Sequence, residues 1–273
     1  MTRLLGFFAR EITFSYHMSV YTTEITSDKI PSDNPIHQRL LSAYYHAQPF
    51  ITGDLLELGC GEGRGVALLA SLATSYTGID KIKPIITGLQ ANYPDHTFMD
   101  GMFPPFPFED HQFDSIVTFQ VIEHVKKDEE FVKEIYRVLK PGGTALITTP
   151  NIKMTLSRNP WHIREYTAEE LTALCKKYFA QVEMKGIAGS DRVMQYHEQN
   201  RKSVNKIMRY DLLDLQHRLP AFMLRKPYEI LNRRNRKKLK SSDDSLVLSI
   251  STDDFLLNEQ DDQNLDLFVV LKK

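Results

Sequence analysis

Glycines at positions 59, 61, 63 and 65 follow a short apolar run that carries one acid, Leu55-Leu56-Glu57-Leu58. Residues of these types in this order can cradle a small polar ligand. A glycine has no Cβ, so it turns the chain through left-handed backbone without a clash and lets backbone N–H groups approach a ligand closely. Cys60, inside the turn, is small enough to fit there. Two histidines could move protons. His124 sits in Val-Ile-Glu-His-Val and His162 in Trp-His-Ile-Arg-Glu-Tyr, and imidazole exchanges a proton near neutral pH. No His, Cys, Asp or Glu set has the spacing of metal ligands, so no metal is expected.

The elements that must position these groups alternate from Asp54 to about Gly186. Leu55–Leu58, Tyr76–Ile79, Thr97–Met99, Ser115–Phe119 and Ala145–Thr149 read as five buried strands. Between them lie amphipathic stretches: Val66, Leu68, Leu69 and Leu72; Ile85, Ile86 and Leu89 behind Pro84; and Phe131, Val132, Ile135, Val138 and Leu139. Thr167 and Glu170 form a capping box for a further helix with Leu171, Leu174 and Tyr178. Gln181–Lys185 and Leu265–Leu271 complete seven strands. Such alternation predicts an α/β fold with a doubly wound, mostly parallel sheet. Four segments follow: a helical one over 1–53 with Ile36, Leu40, Leu41, Tyr44 and Tyr45 on its apolar face, a cofactor-binding core over 54–187, a helical basic insertion over 188–264, and the last core strand over 265–273.

With 273 residues, 42% of them apolar, the chain can bury one large core. Its net charge of −1 gives no global field for nucleic acid. The two cysteines, Cys60 and Cys175, read as free thiols. No apolar run approaches the roughly 18 residues that span a bilayer, and the Leu4–Ala9 stretch is too short for a signal peptide, so a cytoplasmic location is expected. The even balance hides an asymmetry. From Ala188 to Lys240 there are 14 Lys/Arg against 5 Asp/Glu, whereas Ser241 to Asp266 holds 8 acids and no Lys or Arg.

A dinucleotide-binding turn has glycine at its first, third and sixth positions, and the sixth position counted from Gly59 is Arg64. The pattern acid-x-Gly-x-Gly-x-Gly instead resembles motif I of class I S-adenosylmethionine-dependent methyltransferases of the ubiquinone/menaquinone-biosynthesis type. Tyr-Thr-Gly-Ile-Asp (76–80), Phe-Met-Asp-Gly (98–101), Phe-Asp-Ser-Ile-Val-Thr-Phe-Gln-Val-Ile-Glu-His-Val (113–125) and Leu-Lys-Pro-Gly-Gly-Thr (139–144) extend the likeness. It implies a Rossmann-like methyltransferase fold that binds S-adenosylmethionine. In that frame Glu57, Gly59, Cys60, Gly61 and Gly63 form the cofactor turn, with Glu57 ordering it or meeting the methionine amino group. Asp80, with Lys81 beside it, would accept the ribose hydroxyls. Asp100, Gly101 and Met102 would hold adenine, and Phe119 and Gln120 would line the cofactor with backbone. Extra residues around Met102–Pro104 depart from the family spacing.

The same resemblance makes His124 and His162 candidate general bases, both near the acceptor. The structural alternatives are that Glu123-His124 orders the start of the next helix, and that Arg164 and Tyr166 tie the 161–166 loop to the sheet. The fourth-strand tip, Thr118-Phe119-Gln120-Val121, lacks the Asn/Asp-Pro-Pro-Tyr/Phe tetrad of enzymes that methylate exocyclic amino groups. An oxygen acceptor on a small molecule, sugar or lipid-linked intermediate is the leading expectation, with carbon and nitrogen acceptors left open. A nicotinamide-dependent oxidoreductase and a non-catalytic cofactor-binding module are the alternatives. In the insertion, Leu219, Phe222, Met223, Leu224, Tyr228, Ile230 and Leu231 alternate with basic residues. Residues 219–240 could contact an anionic membrane surface, or form a lid that packs its apolar face on the core and pairs with the acids after Ser241. Met18-Ser-Val-Tyr resembles the start of an ordinary family member, which would make residues 1–17 an extension without a role in the fold.

Overall fold

The computed structural model describes residues 30–211 and 214–273. Residues 1–29 lie outside it, and with them the expectations about residues 1–17 and the start at Met18. In chain order the elements are α1 (Asn34–Ala47), β1 (Asp54–Leu58), α2 (Val66–Leu69), β2 (Ser75–Asp80), α3 (Lys83–Asn92), β3 (Thr97–Asp100), β4 (Phe113–Phe119), α4 (Asp128–Val138) and β5 (Leu139–Pro150). They continue with α5 (Ala168–Cys175), β6 (Gln181–Gly189), α6 (Asp191–Met208), α7 (Leu215–Arg218), α8 (Ala221–Ser242), α9 (Asp244–Ser249), β7 (Phe255–Glu259) and β8 (Asp266–Lys272). The strands form one sheet in the order β3-β2-β1-β4-β5-β8-β6-β7. Strands β1 to β5 pair in parallel, β8 runs antiparallel to β5 and β6, and β7 runs antiparallel to β6.

Adjacent residues of a strand face opposite sides of a sheet, so a sheet covered on both faces needs apolar residues at successive positions. Leu55 belongs to the core on one face, with Tyr44, Val117, Leu146 and Phe268. Leu56 belongs to the other, with Ile116, Phe131, Ile135, Ile147 and Leu171. Helix α4 buries Phe131, Val132, Ile135 and Val138, and carries Asp128, Glu129 and Glu130 in its first turn and Arg137 in its last. Those charges complement the helix dipole. The capping box of Thr167 and Glu170 opens α5 as expected.

The structure corrects four sequence expectations. The sheet has eight strands, because Phe255–Glu259 adds an edge strand within a segment expected to be helical; its acidic flanks concealed the short apolar run. Helix α2 is a single turn, and Leu72 is exposed. Leu139 begins β5 and pairs with Phe113 instead of ending α4. On α1 the buried residues are Pro35, Ser42, Ala43, Tyr44 and Ala47, while Tyr45 faces out.

Candidate active site

The glycine turn, the two strand-tip acids and both histidines lie beyond the carboxyl ends of parallel strands, where open α/β sheets bind ligands. The turn is held from β2. Gly59 and Cys60 donate their N–H groups to the Ile79 carbonyl at 2.8 and 3.2 Å. Gly59 has φ +78°, and a Cβ there would lie 2.4 Å from Val121 Cγ2. Gly61 has φ +49°, and nothing lies within 4 Å of where its Cβ would be. Gly61 therefore faces the space a ligand would use, and Gly59 faces the protein. Gly63 donates to the Cys60 carbonyl. Cys60 and Cys175 are both buried free thiols.

Asp80 is buried at the end of β2. Its Oδ2 accepts the Gly61 N–H and its Oδ1 the Ile82 N–H, each at 3.0 Å. Each carboxylate oxygen has a second lone pair to offer. Asp100, at the tip of β3, is half-exposed with Lys83 Nζ 3.9 Å away. The Gly101 N–H donates to the Asp80 carbonyl at 3.0 Å, so within the protein it already has an acceptor. Met102 is 86% exposed, and Lys81 is also exposed.

Glu57 is buried on β1. It accepts the Tyr44 hydroxyl at 2.7 Å and the Tyr76 hydroxyl on its other oxygen. Burial pushes its carboxyl up to about 7, against the opposing pull of the two tyrosine hydrogen bonds and of Arg64. Neither tyrosine was given a part in the site from the sequence, and Tyr44 comes from α1, so the N-terminal helix reaches the acid of the glycine turn. Phe119 packs its ring edge-on to Tyr44, with centroids 4.9 Å apart. Gln120 has φ +58°. Its backbone N–H donates to the Thr148 carbonyl at 2.9 Å, and its side-chain amide donates to Asp266 Oδ1 at 3.1 Å. Asp266 in turn is clasped by Arg39, whose Nε lies 2.6 Å from Oδ2.

The two candidate bases meet. The rings of His124 and His162 contact edge-to-face with centroids 4.9 Å apart. His124 Nδ1 lies 2.9 Å from the Trp161 carbonyl, which makes that nitrogen the donor. His162 Nδ1 lies 2.6 Å from Glu165 Oε1, and Asn159 Nδ2 lies 2.7 Å from Nε2. Burial alone would raise Glu165, but the hydrogen bonds from His162 and Thr155 outweigh it and hold the carboxyl low. Glu123 beside them is buried, accepts the Thr149 hydroxyl at 3.0 Å, and is raised by burial. One donor atom from each of Glu123, His124 and His162 falls within 4.8 Å of the others. These three could serve a divalent cation, a grouping that sequence spacing conceals because the fold alone joins positions 123 and 162. The side chains of Arg164 and Tyr166 anchor the loop, but to the start of α4 instead of the sheet. Arg164 Nη1 and the Tyr166 hydroxyl both donate to Asp128 Oδ2, at 2.7 and 2.9 Å, and the Ile163 N–H donates to the Glu123 carbonyl at 2.7 Å.

This strand order, with a glycine turn after β1 and an acid ending β2, is the Rossmann-like fold of S-adenosylmethionine-dependent methyltransferases. Residues 56–147 match the family described as a methyltransferase domain. A probable S-adenosylmethionine-dependent methyltransferase of Mycolicibacterium smegmatis is 40% identical over 136 residues, 48% of this chain and 52% of that protein. The mitochondrial ubiquinone biosynthesis O-methyltransferase of Mus musculus is 33% identical over 119 residues, 40% of this chain and 32% of that protein. The chain thus spans about half the length of the first relative and a third of the second. A crystal structure from Thermotoga maritima, described as a methyltransferase and possible histamine N-methyltransferase, is similar in fold. It has a TM-score of 0.56 at 16% identity, and the match covers 87% of this chain and 91% of that one.

The residues present fit S-adenosylmethionine. The space beside Gly61, the spare lone pairs of Asp80 and the exposed Asp100 offer room and acceptors along one line of strand tips. The glycine spacing does not fit a dinucleotide.

Proposed function

We propose that the protein transfers a methyl group from S-adenosylmethionine to a hydroxyl oxygen of a small-molecule, sugar or lipid-linked acceptor. The observation that carries this reading is the paired imidazoles of His124 and His162, backed by Glu165 and placed past the tip of β4. Bound S-adenosylmethionine supplies an electrophilic methyl on a sulfonium sulfur.

The protein's own groups do the rest. Gly59, Cys60, Gly61 and Gly63 shape the cofactor turn, and Asp80, with Lys81 beside it, takes the ribose hydroxyls. Asp100 and the Gly101-Met102 backbone take adenine, although the engaged Gly101 N–H leaves that contact to Met102. Glu57, fixed by Tyr44 and Tyr76, orders the turn from beneath. Phe119 and Gln120, locked by Asp266 and Arg39, fix the backbone over the cofactor. Alignment of this kind can remove on the order of 7–11 kcal/mol of barrier.

A hydroxyl must also lose its proton, and a positioned base contributes roughly 10²–10⁴-fold. The proton passes to the His124 imidazole, whose Nδ1–H the Trp161 carbonyl holds, and the His162 ring against it carries the Glu165 carboxylate at its own Nδ1. The resemblance to an O-methyltransferase supports oxygen as the target. A methyl-transfer screen over phenolic, sugar and lipid hydroxyls, run beside calorimetry with S-adenosylhomocysteine and NAD, tests the reading. Tight NAD binding without S-adenosylhomocysteine binding would overturn it.

A further inference from the structure

Helix α8 is packed inside out. Its apolar residues had two readings, a lid face on the core or a membrane contact. Phe222, Met223, Ile230 and Leu231 are exposed, by 72%, 51%, 54% and 43%, while Leu219, Leu224 and Tyr228 of the same stretch are half-buried. Two of its three buried residues are polar. Arg236 and Asn235 are buried with Leu239. Arg236 and Arg233 both bind the fully buried Asp33, at 3.0–3.1 Å, and the Asn235 amide donates to Asn200 at 2.7 Å. A soluble lid gains stability by turning its apolar stripe inward. This one spends charged and amide groups on the protein side and leaves its apolar side uncovered among the described residues. Exposed apolar patches of this kind mark interaction surfaces.

The outer face is graded along the helix. Met223, Pro227, Ile230, Arg234 and Lys237 follow at three- and four-residue spacing and are all exposed, so they form one stripe. Phe222, Lys226, Leu231 and Lys238 flank it. The first half is apolar, the last two turns are basic, and Glu229 is the one acid among the helix's 22 residues. No helix among the described residues is long and apolar enough to cross a membrane. Apolar side chains beside lysines and arginines match the acyl-headgroup boundary of a bilayer that carries anionic lipids.

We infer that the outer face of α8 docks the protein on an anionic lipid surface, with Phe222, Met223, Ile230 and Leu231 inserted and Lys226, Arg234, Lys237 and Lys238 on the headgroups. The docking face joins the acceptor rim directly. Arg225 lies over the Trp161 ring at 4.1 Å, and Arg158 Nη1 donates to the Gln216 carbonyl at 2.6 Å. A lid seated on a bilayer would therefore hold the His162 loop at the lipid surface. This deepens, and for the acceptor's delivery rests on, the methyltransferase reading; the docking itself stands on the helix alone.

Co-sedimentation of the full chain with phosphatidylcholine vesicles, with and without phosphatidylglycerol, tests it. Binding is expected only with phosphatidylglycerol and should weaken as salt rises. The variants F222S/I230S and K226E/K237E/K238E should each lower vesicle partitioning about tenfold or more. Because these side chains are exposed, melting temperature and S-adenosylhomocysteine affinity should stay at wild-type values, which excludes misfolding. Wild-type protein that ignores anionic vesicles would overturn the inference. So would self-association that the same variants abolish, since a second copy would then be the occupant. Vesicle binding without cofactor binding would sink the methyltransferase reading and leave the docking intact.

Discussion

On the cofactor side of the site, nearly every group that shapes the turn comes from one stretch, residues 57 to 101. Gly59 and Cys60 hang on Ile79, Gly61 on Asp80, and Gly101 on Asp80 again. On the acceptor side the groups come from across the chain. His124 meets His162 across 38 residues of sequence, and its Nδ1 donates to the Trp161 carbonyl. The cofactor turn is thus a local object, stiffened by two adjacent strands. The proposed acceptor wall is a tertiary object that stands only when the end of β4 and the 159–165 loop are both in place. Substitutions on the first side should change ligand affinity or the turn's own stability. Those on the second should change turnover while leaving the cofactor's affinity alone.

The largest expected effect breaks that comparison cleanly or not at all. Replacing both His124 and His162 by alanine should lower turnover roughly 10²–10⁴-fold, with S-adenosylhomocysteine affinity within a few-fold of wild type. Single variants divide the loss, and Glu165→Gln should lower turnover because it removes the carboxylate that accepts from His162 Nδ1. Full turnover in both single variants, measured on the true acceptor, would remove histidine base catalysis from the account.

Two glycines sharpen the cofactor side. Gly59→Val combines left-handed backbone, which costs a non-glycine residue about 1–2 kcal/mol, with a clash into Val121 that adds roughly 1–3 kcal/mol. Denaturant melts should show a loss of about 2–5 kcal/mol. Gly61→Val meets open space, so it should cost only the backbone term of about 1–2 kcal/mol while abolishing cofactor binding. Equal destabilisation in the two variants would mean that the space beside Gly61 is not the ligand's.

A pH measurement probes the buried floor of the same turn. Glu57 keeps its proton in the folded protein up to about 7, whereas an unfolded carboxyl releases it near 4.5. The fold therefore binds more protons across that window, and its stability falls as pH rises through it. The contribution is full below the lower value and, by about 7, has fallen by on the order of 3 kcal/mol. The wild-type stability minus that of Glu57→Gln, followed by urea unfolding from pH 4 upward, should trace this fall. A flat difference would show that Tyr44 and Tyr76 keep the carboxylate ionised throughout.

How legible each side was follows from the same contrast. The five parallel strands, the capping box of Thr167 and the glycine turn were readable because each is a run of neighbours whose pattern reports a local backbone need. The Tyr44 and Tyr76 hydroxyls on Glu57 left no such trace, nor did the Arg39–Asp266 clasp, since nothing links residues 227 positions apart before the chain folds. Glu165 had a faint signal, three residues after His162 in a tight loop. For helix α8 the sequence left two readings, lid face or membrane contact. Its apolar periodicity is real, but the buried Asp33 draws Arg233 and Arg236 inward, and two ion pairs to one carboxylate set the helix's rotation against its hydrophobic stripe. The edge strand β7 was lost in the acidic run that surrounds it.

The smallest expected effect falls on Asp80, where the two sides can be compared most directly. Asp80→Ala removes a charge-assisted acceptor for the ribose hydroxyls and should weaken S-adenosylhomocysteine by about 1.5–3 kcal/mol. It also frees the Gly61 and Ile82 N–H groups, which the carboxylate now holds at 3.0 Å each. Asp80→Asn separates these roles, because the amide oxygen can still accept from one backbone donor but carries no charge. If the ribose contact dominates, calorimetry should show Asn almost as weak as Ala, with the melting temperature preserved in Asn alone. If ordering of the turn dominates, Asn should recover most of the affinity. Wild-type affinity in both variants would place the cofactor elsewhere and end the comparison on its better-encoded side.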